Sequence, residues 1–171
     1  MLIRQSRKPG DDKMERRSIF GLVAAAFVAA PAVVQAQTQT EAQAKAAGAK
    51  AHRLAIHVDQ SEIAQMNLAL GNASNVLDHY KSRGEDVEIE IVTYSQGLHM
   101  LRADTSPVKE RIKALREKMP NVVFSACDNT RRRMEKDEGR KITFVTEAVI
   151  VPSGVVRLME LQEQGWSYIR P

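Results

Sequence analysis

The chain carries a single cysteine, Cys127, where an apolar run at residues 122–126 gives way to Asp128-Asn129-Thr130 and a charged, helix-like segment. The thiolate is the nucleophile of cysteine chemistry, and a free thiol, titrating near about 8.5, is activated by a helix N-terminus and by neighbouring cations. Both are in prospect here: free N–H groups of the following helix, and Arg131 and Arg132 one turn on, with Asp128 opposing them. Such a thiol is paired between subunits, used chemically as a nucleophile, or merely buried as a small hydrophobe. Asn129 and Thr130 either donate to a bound oxyanion or only cap the helix. His57 projects, by strand alternation, opposite to Leu54, Ile56 and Val58, as a proton donor and acceptor or as a hydrogen-bonded structural histidine. Asn67, beside the apolar stripe of a helix, is a further candidate to line the same site.

Other chemistries lack their residues. His52, His79 and His99 have no spacing suited to a metal, and no Gly-rich phosphate loop or nucleophile elbow is present, so neither metal nor cofactor is expected. Arg131-Arg132-Arg133 is followed by Glu135, Asp137 and Glu138, the pattern of a self-paired solvated helix rather than a nucleic-acid surface.

Strand and helix must alternate to place these groups. Residues 54–58 form a first strand, and Asp59 three before Glu62 has the spacing of a capping box. Ile63, Met66, Leu70, Ala73, Leu77 and Tyr80 then step by three and four, a core-facing helical stripe ended by Gly84. Residues 87–94 make a second strand, whose Glu88 and Glu90 predict a partly wet face. Residues 97–105 are ambiguous, Ser106-Pro107 starts a helix with the stripe Val108, Ile112, Leu115, Met119, and Pro120 stops it. After the third strand, Asp128 or Asn129 is the expected N-cap, with pairs Arg131–Glu135 and Arg133–Asp137 and a stop at Gly139. A fourth strand lies within 142–151 and a helix spans about 155–163; a last strand, 166–169, puts Trp166 and Tyr168 at a sheet edge or subunit contact. The order calls for an α/β domain, a mostly parallel sheet of about five strands between helices. The strand ends then converge: His57 and Asp59, Tyr94 to Gly97, Cys127 to Thr130, and Pro152 to Gly154.

The front of the chain has a different build. Residues 14–36 hold Arg16-Arg17, an Ala/Val-rich run and Val34-Gln35-Ala36, the basic, apolar and small-residue parts of an export signal of twin-arginine type. Met14 is a candidate true start, cleavage is expected after Ala36, and residues 37–52 are expected to be a flexible linker to the domain at 53–171. That places the mature protein in the periplasm or outside the cell, with no stable membrane insertion once cleaved. Of the net charge of +4, residues 1–36, the whole expected export signal, hold six Lys/Arg against three Asp/Glu, leaving 19 basic against 18 acidic residues. A nearly neutral mature chain argues against nucleic acid as partner.

Phe124-Ser125-Ala126-Cys127-Asp128-Asn129-Thr130, with Val151-Pro152-Ser153-Gly154-Val155-Val156 and residues 160–169, resembles the DsrE/DsrF-like family. Ile56-His57-Val58 and residues 66–73 match its first strand and helix, so the resemblance covers about 53–171 and, with the leader, suggests an exported subgroup. It implies a flavodoxin-like three-layer α/β/α domain that forms homo-oligomers (dimer, trimer or hexamer). Cys127 falls on the family's sulfur-carrying cysteine, and the chain departs from the subgroup pattern in having Asp128 for Gly and Ser153 for Ala. The function implied is sulfur handling. Cys127 would take sulfane sulfur from a donor protein as a persulfide and pass it to an acceptor protein, a sulfurtransferase-like carrier more than a turnover enzyme. Asn129, Thr130, His57, Asn67 and Arg131 are the binding candidates around it. The alternative is a non-catalytic oligomeric binding module with a structural cysteine.

Overall fold

The computed structural model describes residues 52–171. The leader, Met14 and all of the linker except His52 lie outside the described residues. Strands β1 (His52–Val58), β2 (Val87–Thr93), β3 (Val123–Cys127), β4 (Ala148–Val151) and β5 (Ser167–Ile169) alternate with helices α1 (Ile63–Ser82), α2 (Lys109–Lys118), α3 (Asp128–Glu138) and α4 (Gly154–Glu163). A 3-10 helix, Ser95–Met100, fills part of the ambiguous stretch after β2. All strand pairings are parallel, in the order β4-β3-β2-β1-β5.

Strand order and handedness fix the layers. From β1 to β4 the chain moves steadily across the sheet, and right-handed crossovers keep α1, α2 and α3 on one face. From β4 it returns past three strands to β5, so the same rule puts α4 on the other face. The two cores agree. Leu54, Ile56, Val58, Ile91 and Phe124 pack with Met66, Leu70, Ile112 and Leu115, with Met134 of α3 against them. Across the sheet, Ala55 and Val92 pack with Leu158 and Leu161 of α4, with Tyr94 and Trp166 beside them. The three-layer α/β/α arrangement expected from sequence holds, but its layers are unequal. One helix must cover a face that three helices cover on the other side.

Local chemistry explains most boundaries. Gly84, at φ 68°, ends α1 with paired bonds, Gly84 N–H to Lys81 O at 3.1 Å and Glu85 N–H to Tyr80 O at 3.0 Å. Gly139, at φ 64°, ends α3 in the same left-handed conformation. Several details differ from the sequence expectation. Glu62 caps α1 without a side-chain bond, because Asp59 pairs with Arg170 instead. α2 begins at Lys109, not Pro107, since Ser106 spends its hydroxyl on Met100 O and Val108 N–H. Glu90 is not on a wet face. It is 1% exposed and is held by Arg157 of α4 at 2.7 and 2.8 Å and by Ser125 at 2.6 Å.

Candidate functional site

Adjacent strands whose following helices lie on opposite faces open a crevice beyond their carboxyl ends, where α/β sheets bind ligands. Here those strands are β3 and β4. The turn after β3 carries Cys127 toward α3, and the turn after β4 carries Pro152-Ser153 toward α4. Cys127 pairs with Val151 in register, and Asn129 N–H donates to Pro152 O at 3.3 Å, tying the two turns together.

Cys127 itself caps α3. Its backbone is extended (φ −68°, ψ 116°) and its Sγ accepts the Thr130 N–H at 3.5 Å. The expected caps, Asp128 and Asn129, are instead the first residues inside the helix. Thr130 is placed from the other side as well, because its hydroxyl accepts the Ser95 N–H at 3.1 Å. Ser95 holds a left-handed backbone, φ 51°, rare for a residue with a side chain and stored here at the end of β2. Gly97 follows because a Cβ there would meet Val58 O at 2.2 Å.

The arginines do not aim at the sulfur. Arg131 donates to Asp128 at 2.8 and 2.5 Å and to Glu135 at 3.2 Å, and Arg132 lies 3.3 Å from Asp128. The acid that was to oppose thiolate formation is thus neutralised by the cations that were to favour it. Asn129 is exposed and accepts from Arg132 at 2.6 Å. Asn67 does not join the site, since it sits on α1 across the sheet and bonds Arg111 of α2.

Tyr94 extends the site toward β1. A Cβ on Gly154 would lie 3.0 Å from Tyr94 and 3.4 Å from Cys127, so the first residue of α4 rests on both side chains. The Tyr94 ring stacks on His57 at 4.6 Å. His57 Nδ1 bonds the Tyr168 hydroxyl at 2.8 Å, so the last strand, read only as an edge, supplies a partner to the histidine. His57 Nε2 is buried without a hydrogen-bond partner, 3.9 Å from Asp59. Burial holds the His57 pKa below 6.5; nearby Asp59 opposes this and Arg170 adds to it. Burial also pushes Tyr94 upward, with Asp59, Tyr168 and Cys127 contributing in the same direction. Tyr94, Ser95 and Gly154 are the site residues that composition did not mark out. Their only sequence signal was position at converging strand ends.

The arrangement is a lone sulfur, 4% exposed, with one backbone donor, glycine in place of a side chain above it, and an aromatic row leading to a neutral imidazole. One backbone N–H faces the sulfur, while its burial limits the access of a reaction partner.

The DsrE/DsrF-like family matches residues 52–171. A protein of unknown function from Methanobacterium thermoautotrophicum has a similar solved structure, with 32% identity and a TM-score of 0.60, covering 70% of this chain and 99% of that one. No curated protein matches.

Proposed function

The chain belongs to the DsrE/DsrF-like family, a family of sulfur-relay type, and on that premise we propose that it is an exported sulfur carrier working through Cys127. The Cys127 thiolate attacks the outer sulfur of a donor persulfide, R–S–SH. A bond forms from Sγ to that sulfur, the donor's S–S bond breaks with its electron pair leaving on R–S⁻, and the proton stays on the transferred sulfur, giving Cys127–S–SH. An acceptor thiolate then attacks the terminal sulfur, and Cys127 returns as the thiolate with no net oxidation. No metal or cofactor enters. The observation that carries the reading is the Thr130 N–H on Sγ at a switch point between two helix N-termini.

Thr130 and Tyr94 lie beside the sulfur, His57 stacks on Tyr94, and Arg131 fixes Asp128 rather than the sulfur. Export rests on Arg16-Arg17 and the Ala/Val run behind it. Self-association is supported by Ile150, Val155 and Met159, each about half exposed and apolar.

Intact mass tests the carrier. Incubation of the mature protein with inorganic polysulfide is expected to add the mass of one sulfur, an adduct absent from Cys127→Ser. No adduct, together with a thiol inert to iodoacetamide in the folded state, sinks the reading. That outcome favours a binding module with a structural cysteine, the reading to which the 4% exposure of Cys127 points.

A further inference from the structure

α4 is too narrow for the face it covers. Leu158 and Leu161 seat it over β1 and β2, it reaches β3 only in part, and the β4 side of that face is left uncovered. The gap is a cavity of about 420 Å³, within the usual size of small-molecule sites, about 300–1,000 Å³. Its walls are Val123, Val149, Val151 and Val156. Val149 of β4 and Val156 of α4 are each 50% exposed, and the exposed Val149 is costly for a parallel sheet that normally buries both faces. Its floor is charged: Glu90 and Ser125 are 1% and 0% exposed, and Arg157 clasps Glu90 through Nε and one terminal nitrogen.

The floor decides the ligand. A guanidinium has five N–H donors, and Glu90 takes two. The other terminal nitrogen, Nη1, has only a long 3.4 Å contact to Glu160, an exposed carboxylate at the rim. Arg157 therefore keeps donors facing the cavity, while Glu90 and Ser125 are spent on each other and on Arg157. The pocket has apolar walls and, at one end, the spare donors of Arg157, with the charge of Glu90 already matched by Arg157 and Glu160 at the rim as the one exposed carboxylate.

We propose that this cavity is a second binding site, for a short aliphatic ligand ending in a hydrogen-bond acceptor, a carboxylate above all, which seats its chain on the four valines and its head on Arg157. Cys127 does not line it, and no step at sulfur is involved, so the proposal stands or falls apart from the sulfur-carrier reading.

Hexanoate is the probe, titrated calorimetrically into the full chain, with hexylamine as the chain-matched control. Saturable hexanoate binding is expected, weakened at least about tenfold in Val156→Trp, where the indole fills the cavity from a half-exposed position. Compared in Glu160→Gln, where the rim carboxylate is gone, hexylamine is expected to bind at least about tenfold more weakly than hexanoate, because its ammonium then meets the Arg157 donors. Glu160→Gln, which releases Nη1 and removes a repelling charge without touching the buried pair, should tighten hexanoate. The proposal is overturned if hexanoate fails to saturate the native chain, if Val156→Trp binds it equally, or if hexylamine matches it in Glu160→Gln. A Val156→Trp chain that changes oligomeric mass while the native one ignores hexanoate would show the face covered by protein instead, and would overturn it too.

Discussion

Replacing Arg102 with methionine should loosen the domain and its site together. Arg102 is 0% exposed, yet its guanidinium reaches Asp104 at 3.0 and 2.8 Å and Glu138, the last residue of α3, at 2.9 Å. α3 buries none of its residues, so its hold on the domain rests on Cys127 and the bonds of Asn129 and Thr130 at one end, and on this clamp, with Met134 and the Glu135–Ile142 bond nearby, at the other. Breaking a buried ion pair costs about 3–5 kcal/mol. Here both carboxylates are 31% exposed and retain Arg140, and methionine keeps much of the buried stem, so the lower end applies, about 3 kcal/mol. For a domain of this size that is a fall in Tm of about 10 °C. Urea unfolding measures it, with Arg140→Gln as control. Arg140 is 51% exposed and holds the same carboxylates from outside, so its loss should stay within about 1 kcal/mol. A second readout is iodoacetamide labelling of Cys127, expected to quicken as α3 loosens. A loss in Arg102→Met no larger than in Arg140→Gln would refute the clamp; a large loss with unchanged labelling would refute its link to the site. Acid stability adds a third check. Arg102 holds the Asp104 and Glu138 carboxyls below their ordinary values, so the unfolded chain takes up protons first. The native protein should therefore lose stability as pH falls through about 4 and below, and the variant should lose less.

Other expectations follow from the same contacts. The His57 pKa is lowered by burial, so unfolded chains protonate first as pH drops below about 6.5. Thermal melts from pH 8 to 5 should show falling stability across that window, flattened in His57→Gln; an unchanged slope would mean that His57 is not buried neutral. Tyr168→Phe leaves His57 Nδ1 without its partner and should cost about 1 kcal/mol by urea midpoint. Gly97→Ala places a Cβ 2.2 Å from a backbone oxygen, whereas Gly154→Ala places one 3.0 Å from the Tyr94 side chain. The first should cost more than about 3 kcal/mol and the second about 1–2, since only the side chain can give way; the reverse order in urea would contradict the packing. Glu90→Gln should cost about 3 kcal/mol and Glu88→Gln, exposed two residues away, within about 0.5. Equal effects would mean that Glu90 is not the buried partner of Arg157.

What the sequence determined by itself was everything that is decided within a turn of helix or a pleat of strand. The alternation of elements, the stops at Gly84 and Gly139, and the Arg131–Glu135 pair at 3.2 Å were all legible, because propensity, capping and i,i+4 contact act locally. Family membership was legible for the same reason, carried by contiguous motifs around Cys127 and Ser153. Tertiary structure alone decided which face was covered. Glu88 and Glu90 sit in one alternating pattern, and only the return crossover that lays α4 across β2 brings Arg157, 67 residues on, over the second of them. His57 finds Tyr168 at a separation of 111 residues, and Asn67 falls away from Cys127 because α1 winds onto the opposite face. Arg102, inside the stretch whose secondary structure stayed ambiguous, became the most completely buried charge among the described residues. Sequence periodicity says which side of an element is apolar. It cannot say which element will lie against it, since that is set by strand order and by the handedness of each crossover. Cys127 shows both halves: its place at a strand end was local, while its shelter beneath Gly154 and beside Tyr94 belongs to the fold.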